Sequence, residues 1–436
     1  MGLSPLPMPR KVGIARVAEQ REDRIAAGLE LALDGAALLF LPILTMASLG
    51  AAPLAIVAEI CALGLVLRRG APSLRALRWP AILFGLLVFW GALSAIWSIH
   101  PLRSLEIAGR LAGLFVGALA LIAAAGRLAR PLRLLGCALI GAGVAMLLAV
   151  FELATHGIFS AMLYHHPYFP TGLNRGAVGL TVLLLPALAT AAYLRRPVLG
   201  AVLSLAIVAV VFALKATIAK VILPVAIIAG GLMLLARTVT VRTAAVATVL
   251  VVLTAPLTFT QFAEVPGLLD RAYEFKVSLA HRLEIWNFVG RHIAERPVLG
   301  WGLDASRAIP GGDQPIRPGE NWLPLHPHNA ALQLWLELGL PGGAVLASFA
   351  ALFWLRLGRS GDPPLFVAAS GGALLAAMIA AFASYDIWHE WWIGALSLML
   401  FLVCVMASVC RDAARHPAAA AGNPPSQRAS RAACGD

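Results

Sequence analysis

Residues 134–151 read Leu-Leu-Gly-Cys-Ala-Leu-Ile-Gly-Ala-Gly-Val-Ala-Met-Leu-Leu-Ala-Val-Phe, uninterrupted by charge and bracketed by Arg133 and Glu152. A helix needs about 20 largely apolar residues to cross the hydrocarbon of a bilayer. A soluble helix of that length keeps polar residues on the face turned away from its core, and this run has none. It shows no alternation either, which argues against a transmembrane barrel. The same pattern recurs along the chain near 31–49, 51–67, 80–97, 111–126, 176–194, 197–213, 218–236, 243–262, 330–355, 364–384 and 390–410. The expected fold is therefore all-α: a polytopic membrane protein with about 12 transmembrane helices and one large outer loop.

Composition agrees. The 436 residues are 60% hydrophobic and 13% charged, with a mean hydropathy of +0.83, too few charges to cover a soluble surface of this size. A formal net charge of +12 would suit a nucleic-acid binder, but the 34 Lys and Arg fall between the apolar runs rather than in aromatic-laced blocks. They distribute as a topology signal. With the N-terminus cytoplasmic, 22 lie on the inner side and 12 on the outer, and seven of those 12 sit in residues 263–327. The implied organisation is a cytoplasmic N-terminal segment (1–30), nine spans (31–262), an outer loop (263–329), three spans (330–410) and a cytoplasmic tail (411–436). The Ala, Pro and Ser bias of that tail predicts disorder. The basic start lacks a cleavable signal pattern, so the first span is expected to act as an uncleaved anchor. Five scattered cysteines suggest no disulfide framework.

The outer loop is long enough to be functional in its own right. Ser278–Val289 reads as an amphipathic helix with Leu279, Leu283, Trp286 and Val289 on one side, suited to lying along a membrane surface. His281, Arg282 and Glu284 are its polar residues. Arg282, one turn before Trp286, is either a snorkelling interfacial arginine or an anion ligand. Pro297 and the run Leu299-Gly-Trp-Gly-Leu303 read as a tight turn. Next come His326-Pro-His328-Asn329, a helix capped by Asn329 that carries Gln333 and Glu337 one turn apart, then Gly339, Pro341 and Gly342. His328 stands at the mouth of that span, as a capping interfacial histidine or as a reacting group. The histidine pair has no Cys nearby and only distant carboxylates, so no metal site is expected.

Other residues carry open alternatives. Arg175, in Asn174-Arg175-Gly176, is a phosphate ligand or a helix-end anchor. Tyr164, His165, His166 and Tyr168 line a sugar site or belong to an interfacial belt, and the belt also accounts for Trp388, Trp391 and Trp392 near Asp386, His389 and Glu390. Asp34, Glu59 and Glu152 lie in or beside apolar runs, where charge is costly.

Together these motifs resemble those of the O-antigen ligase and polymerase superfamily. Its members share His followed by Asn, Ser or Gln, nine residues, Gly, two residues and Gly, reproduced by His328, Asn329, Gly339 and Gly342. An upstream Arg-x-x-x-Trp is matched by Arg282 and Trp286, and a Pro-x-x-Gly-x-Gly by Pro297, Gly300 and Gly302. The resemblance is close over the loop and its flanking helices and general elsewhere. It implies a fold related to the C-type glycosyltransferases, with the loop periplasmic and the chain in the inner membrane. It also implies a metal-independent inverting glycosyltransferase with no cofactor. The glycan would move from undecaprenyl diphosphate to lipid A-core, or to a second carrier-linked glycan in a polymerase. In that reading His328 is the base and Arg282 a diphosphate ligand. The family's second arginine falls where this chain has Lys215-Ala-Thr-Ile-Ala-Lys220, so Lys220, with Lys215 as alternative, takes its place. Membrane lipids are expected partners and nucleic acid is not. The competing class, a transporter of lipid-linked sugars, predicts broken helices and ionisable groups at midplane forming a path, with a dispensable loop.

Overall fold

The computed structural model describes residues 10–70, 77–165 and 170–417. His166, Tyr168 and the tail from residue 418 lie outside them. The order is α1 (Arg10–Met46), α2 (Ala51–Arg69), α3 (Arg78–Leu93), α4 (Pro101–Ala125), α5 (Pro131–Ala154), α6 (Ile158–Tyr164), α7 (Asn174–Tyr193), α8 (Pro197–Ala213), α9 (Thr217–Thr258), α10 (Leu268–Phe275), α11 (Val277–Glu295), β1 (Pro315–Arg317), β2 (Glu320–Asn321), α12 (Ala330–Arg359), α13 (Pro364–Ala383) and α14 (Glu390–Arg415). The two short strands form one antiparallel pair.

Ten of these helices are long and apolar enough to cross a membrane, and α8 is a shorter apolar helix of 17 residues. The 42-residue α9 contains a non-helical residue, Ala236, at φ −147° and ψ 59°. It is two helices joined at a kink, near where the sequence separates its eighth and ninth spans. Twelve apolar helical segments thus stand among the described residues, and the chain is an all-α polytopic membrane protein. Proline opens α4, α5, α8 and α13, where its missing N–H removes no helical bond.

Helices α7 and α14 are interior, with 67% and 72% of their apolar windows buried against 22% for α3. Lipid tails are as apolar as leucine, so close approach of small residues rather than hydrophobic drive packs such helices. Gly141 of α5 is one such point: a Cβ there would run into the Leu38 backbone of α1. Two acidic residues in the apolar runs have structural partners. Asp34 pairs with Arg133 at 2.5 Å, and Glu152 accepts the backbone N–H groups of Phe159 and Ser160, capping α6. Glu59 is buried between α2 and α4, against Gly117.

The segment between α9 and α12 folds into a packed layer. Trp286, Phe288 and Val289 of α11 pack with Trp301, Leu323, Trp335 and Val252 in one apolar cluster. Helix α11 is longer than the sequence suggests. It buries Ala280, Leu283, Ile285, Trp286, Phe288, Val289 and Ile293 against protein, which replaces the expected membrane-surface role of that face. Leu279, expected on that face, is 37% exposed. The Arg317 guanidinium clasps Glu284 with bonds of 2.7 and 3.0 Å and reaches Glu320 at 2.5 Å, tying the strand pair to α11. Tyr273 of α10 donates to Glu284 at 2.7 Å. These bonds hold the Glu284 carboxylate below its usual range despite burial.

Candidate active site

Helix α12 breaks at Gly339, whose φ of +60° and ψ of −152° no other residue adopts readily. Residues 330–338 before the break are all buried, so this short helix is enclosed by protein on every side. Pro341 has no N–H to return to the Glu337 carbonyl, and the break frees the neighbouring carbonyls as well. The Pro297–Gly302 turn fills the gap: Trp301 N–H donates to Leu336 O at 2.9 Å, and Gly302 N–H to Glu337 O at 2.8 Å. In the other direction Leu340 N–H donates to Pro297 O at 3.0 Å, while the Trp90 indole donates to Leu338 O at 3.0 Å. The two backbones pass so closely that a Cβ on Gly300 would lie 2.7 Å from Gly339 N, and one on Gly339 2.9 Å from Gly300 N. The glycine motifs are the two sides of one seam.

A buried acidic network lies under that seam. The Glu337 carboxylate accepts from Asp304 N–H at 2.6 Å, Trp388 Nε1 at 2.5 Å, Ser306 Oγ at 2.5 Å and Gln333 Nε2 at 3.2 Å. Gln333 also donates to Asp386 at 2.8 Å and accepts from Ile387 N–H at 3.2 Å. Asp304 is held by Arg103 at 2.7 Å, and Asp386 by Arg307 at 3.4 Å. Burial pushes the Asp304 carboxyl up, and Arg103 opposes it. Through these bonds the 299–308 turn, the short helix and the α13–α14 connection hold one geometry.

The His-Pro-His turn precedes the short helix. Asn329 caps it, its side-chain oxygen accepting from Ala331 and Leu332 N–H at 3.0 and 3.2 Å. The Trp286 indole donates to Pro327 O at 2.9 Å, pinning the turn to α11. His328 has φ +55°, a left-handed conformation uncommon outside glycine. Its N–H donates to His326 Nδ1 at 3.2 Å, with the rings 4.2 Å apart. His328 Nδ1 is 3.0 Å from the Ser384 carbonyl, which can only accept. Nδ1 therefore carries the proton, and Nε2 keeps a lone pair. Burial, with Arg282 nearby, lowers His328 to about 4, and burial with His328 beside it takes His326 to about 2. Both rings are neutral near pH 7.

Arg282, half-buried one turn before Trp286, is near enough to act on His326, His328 and Tyr385. Burial lowers its proton affinity, Tyr385 opposes that, and its side chain has no hydrogen bond or ion pair among the described residues. Arg175 reaches the same place from α7. It bonds Ser48, lies 4.6 Å over the Trp391 ring and acts on Tyr385 and His389. Tyr385 is packed against Trp391 and Trp392 at 5.0 and 4.5 Å, its phenol pushed up by burial. The structure thus gathers Arg282, His328 and Arg175, and adds Tyr385 and Arg307.

The two lysines flank Thr217, whose hydroxyl accepts from Lys276 at the start of α11 at 2.8 Å. Lys220 lies 5.8 Å over the Phe212 ring, and Lys215 is exposed. Trp388, Trp391 and Trp392 are 3%, 4% and 2% exposed, so the interfacial-belt reading of these three is corrected: they pack inside the protein. Glu390, considered for sugar binding, pairs with Arg110 at 2.7 Å. The Gly342 backbone packs on the preceding turn, where a Cβ would meet Leu338 Cβ at 2.5 Å. Sequence reasoning missed Tyr385 and Arg307. The one signal was the polar Ser384-Tyr385-Asp386 interruption between two apolar runs.

Residues 168–347, which contain the seam, Arg175, Arg282 and His328, match the family model described as O-antigen ligase. A protein of Rickettsia bellii named "Putative polysaccharide ligase" is 38% identical over 141 residues, covering 31% of this chain and 34% of its own length. A Rickettsia conorii protein of the same description is 42% identical over 136 residues, 29% of this chain and 32% of its own. The chain spans about a third of the length of these relatives. Over this segment the chain is similar to the O-antigen ligase family.

Proposed function

We propose that the protein transfers a glycan from undecaprenyl diphosphate to a hydroxyl of lipid A-core at the periplasmic face of the inner membrane, with both termini cytoplasmic. The observation that carries this reading is the convergence of two arginines, Arg282 and Arg175, with a neutral His328 whose Nε2 lone pair is available.

The chemistry follows from those groups. As the anomeric C–O bond breaks, its electron pair passes to the diphosphate oxygen, and guanidinium groups stabilise that growing charge without a metal. A half-buried arginine without a carboxylate partner is suited to an incoming dianion, because the anion restores what desolvation removed. The N-terminus of the 330–338 helix adds a positive end. The acceptor oxygen attacks the opposite face of C1, inverting it, and its proton passes to His328 Nε2. Ser384 O holds the imidazole in the needed tautomer. Lys220 and Lys215 remain lower-ranked diphosphate ligands.

The test is transfer by purified protein in nanodiscs, with a polyprenyl diphosphate-linked glycan and two acceptors, lipid A-core and a second carrier-linked glycan. Products on lipid A-core, lost in His328→Ala and Arg282→Lys, support the proposal. Chain growth on the carrier reassigns the protein as a polymerase. Carrier-linked glycan crossing sealed vesicles without new glycosidic bonds would make it a transporter.

A further inference from the structure

A cavity of about 790 Å³ lies between α1, α5, α7, α8 and α14, and no residue of the candidate active site lines it. Helix α7 has 20 residues, about 30 Å at 1.5 Å each. Arg175 stands in its first turn, whereas Arg195 and Arg196, which line the cavity, follow its last. Cavity mouth and reaction site are therefore at opposite ends of one helix.

The walls are apolar, with Leu41, Leu135, Leu183, Leu203, Ile207 and Met406 among them. Only Thr190, Arg195 and Arg196 bring polar side chains, and the Thr190 hydroxyl is spent on Pro186 O at 2.7 Å. Leu132 and Leu199, which also line it, are 57% and 42% exposed, so the cavity lining reaches the surface where α5 and α8 begin. Apolar cavities of about 150 Å³ stay dry and empty, but this one is within the range of ligand pockets, about 300–1,000 Å³. Arg133, at the same end, is neutralised by Asp34. Arg195 and Arg196 are exposed and have no carboxylate partner among the described residues.

We propose that this cavity binds an anionic glycerophospholipid, one acyl chain running between α5, α7 and α8 and the phosphate resting on Arg195 and Arg196. Moving a chain from bilayer to cavity exchanges one apolar surface for another, so the chain gives little preference. Selectivity comes from the headgroup, where a basic pocket between helices meets a phosphate with net negative charge. Phosphatidylcholine, with identical chains and no net charge, is the discriminating comparison.

The experiment is native mass spectrometry of the full-length protein, delipidated and then titrated with phosphatidylglycerol or phosphatidylcholine of matched chains. Wild type is expected to retain phosphatidylglycerol at least fivefold better. The double variant Arg195→Gln/Arg196→Gln should bring the two lipids to parity. Gly136→Leu should lose bound lipid with both arginines intact, because Gly136 lines the cavity and a Cβ there meets nothing within 4 Å. Gly143→Leu, on the same helix, where a Cβ also meets nothing within 4 Å but outside the cavity lining, should retain it. Equal retention of the two lipids by wild type, unchanged preference in the double Gln variant, or equal loss in both leucine variants overturns the site. Displacement of phosphatidylglycerol by an equimolar polyprenyl phosphate also overturns it, in favour of the carrier.

Discussion

Replacing Gly339 by alanine tests whether the glycine motif is a backbone seam. Its φ of +60° and ψ of −152° cost a residue bearing a Cβ about 1–3 kcal/mol. The added carbon would also drive into the Val298 carbonyl and lie 2.9 Å from Gly300 N. Both obstacles are backbone, so neither can rotate aside. Relief requires lifting the 297–302 turn away, which weakens three bonds of 2.8–3.0 Å across the seam, each worth about 1 kcal/mol. The expected destabilisation is about 3–5 kcal/mol, more than a hundredfold in the folding equilibrium. The assay is denaturant unfolding in detergent beside Gly361→Ala, where a Cβ meets nothing within 4 Å and φ is not positive. That control should stay within about 0.5 kcal/mol of wild type. If Gly339→Ala unfolds with the control, the seam is not what the motif encodes.

Three further outcomes are expected. Trp286→Phe keeps the ring but orphans the buried Pro327 carbonyl, so it should cost about 1–3 kcal/mol in unfolding and, by loosening the His328 turn, lower transfer at least tenfold. For pH, the neutral imidazole is the active form and His328 sits near 4, so kcat/KM should fall with acid only as pH approaches 4. At pH 5.5 it should stay within about twofold of pH 7.5, where an unperturbed histidine would lose about tenfold. The bound diphosphate raises proton affinity, so the acidic limb of kcat should lie at higher pH than that of kcat/KM. Glu337→Gln places an amide N–H₂ against a pair of donors, so about 2–4 kcal/mol of stability should be lost, read from the same unfolding curves.

The spans were legible because unbroken apolar runs have one stable solution in lipid, and residues local to one turn were legible too. Asn329 caps the helix that its position predicts, and Gly339 ends it ahead of Pro341. What depended on distant partners was not legible. Aromatic residues at a span end look alike whether they face headgroups or protein, and only the packing of α14 against α2, α4 and α7 put Trp391 and Trp392 inside. Glu284 reads as a surface charge until Arg317, 33 positions away, is found clasping it. Arg307 comes into play only because the α13–α14 connection brings Asp386 to it, and Tyr385 enters with that connection.

The motif residues divide by what they touch. Asn329, Trp286, Gly300, Gly302 and Gly339 use backbone bonds or close approach to hold one turn, one helix break and one seam. Arg282 and His328 contribute little to that scaffold: the first makes no bond among the described residues, and the second leaves Nε2 unused. A half-buried guanidinium without a bond and an imidazole with one nitrogen unpaired are costly unless a ligand completes them. Arg282→Leu should accordingly leave unfolding unchanged or make the protein more stable, whereas transfer disappears. A stability loss above about 2 kcal/mol would mean that Arg282 is scaffold after all.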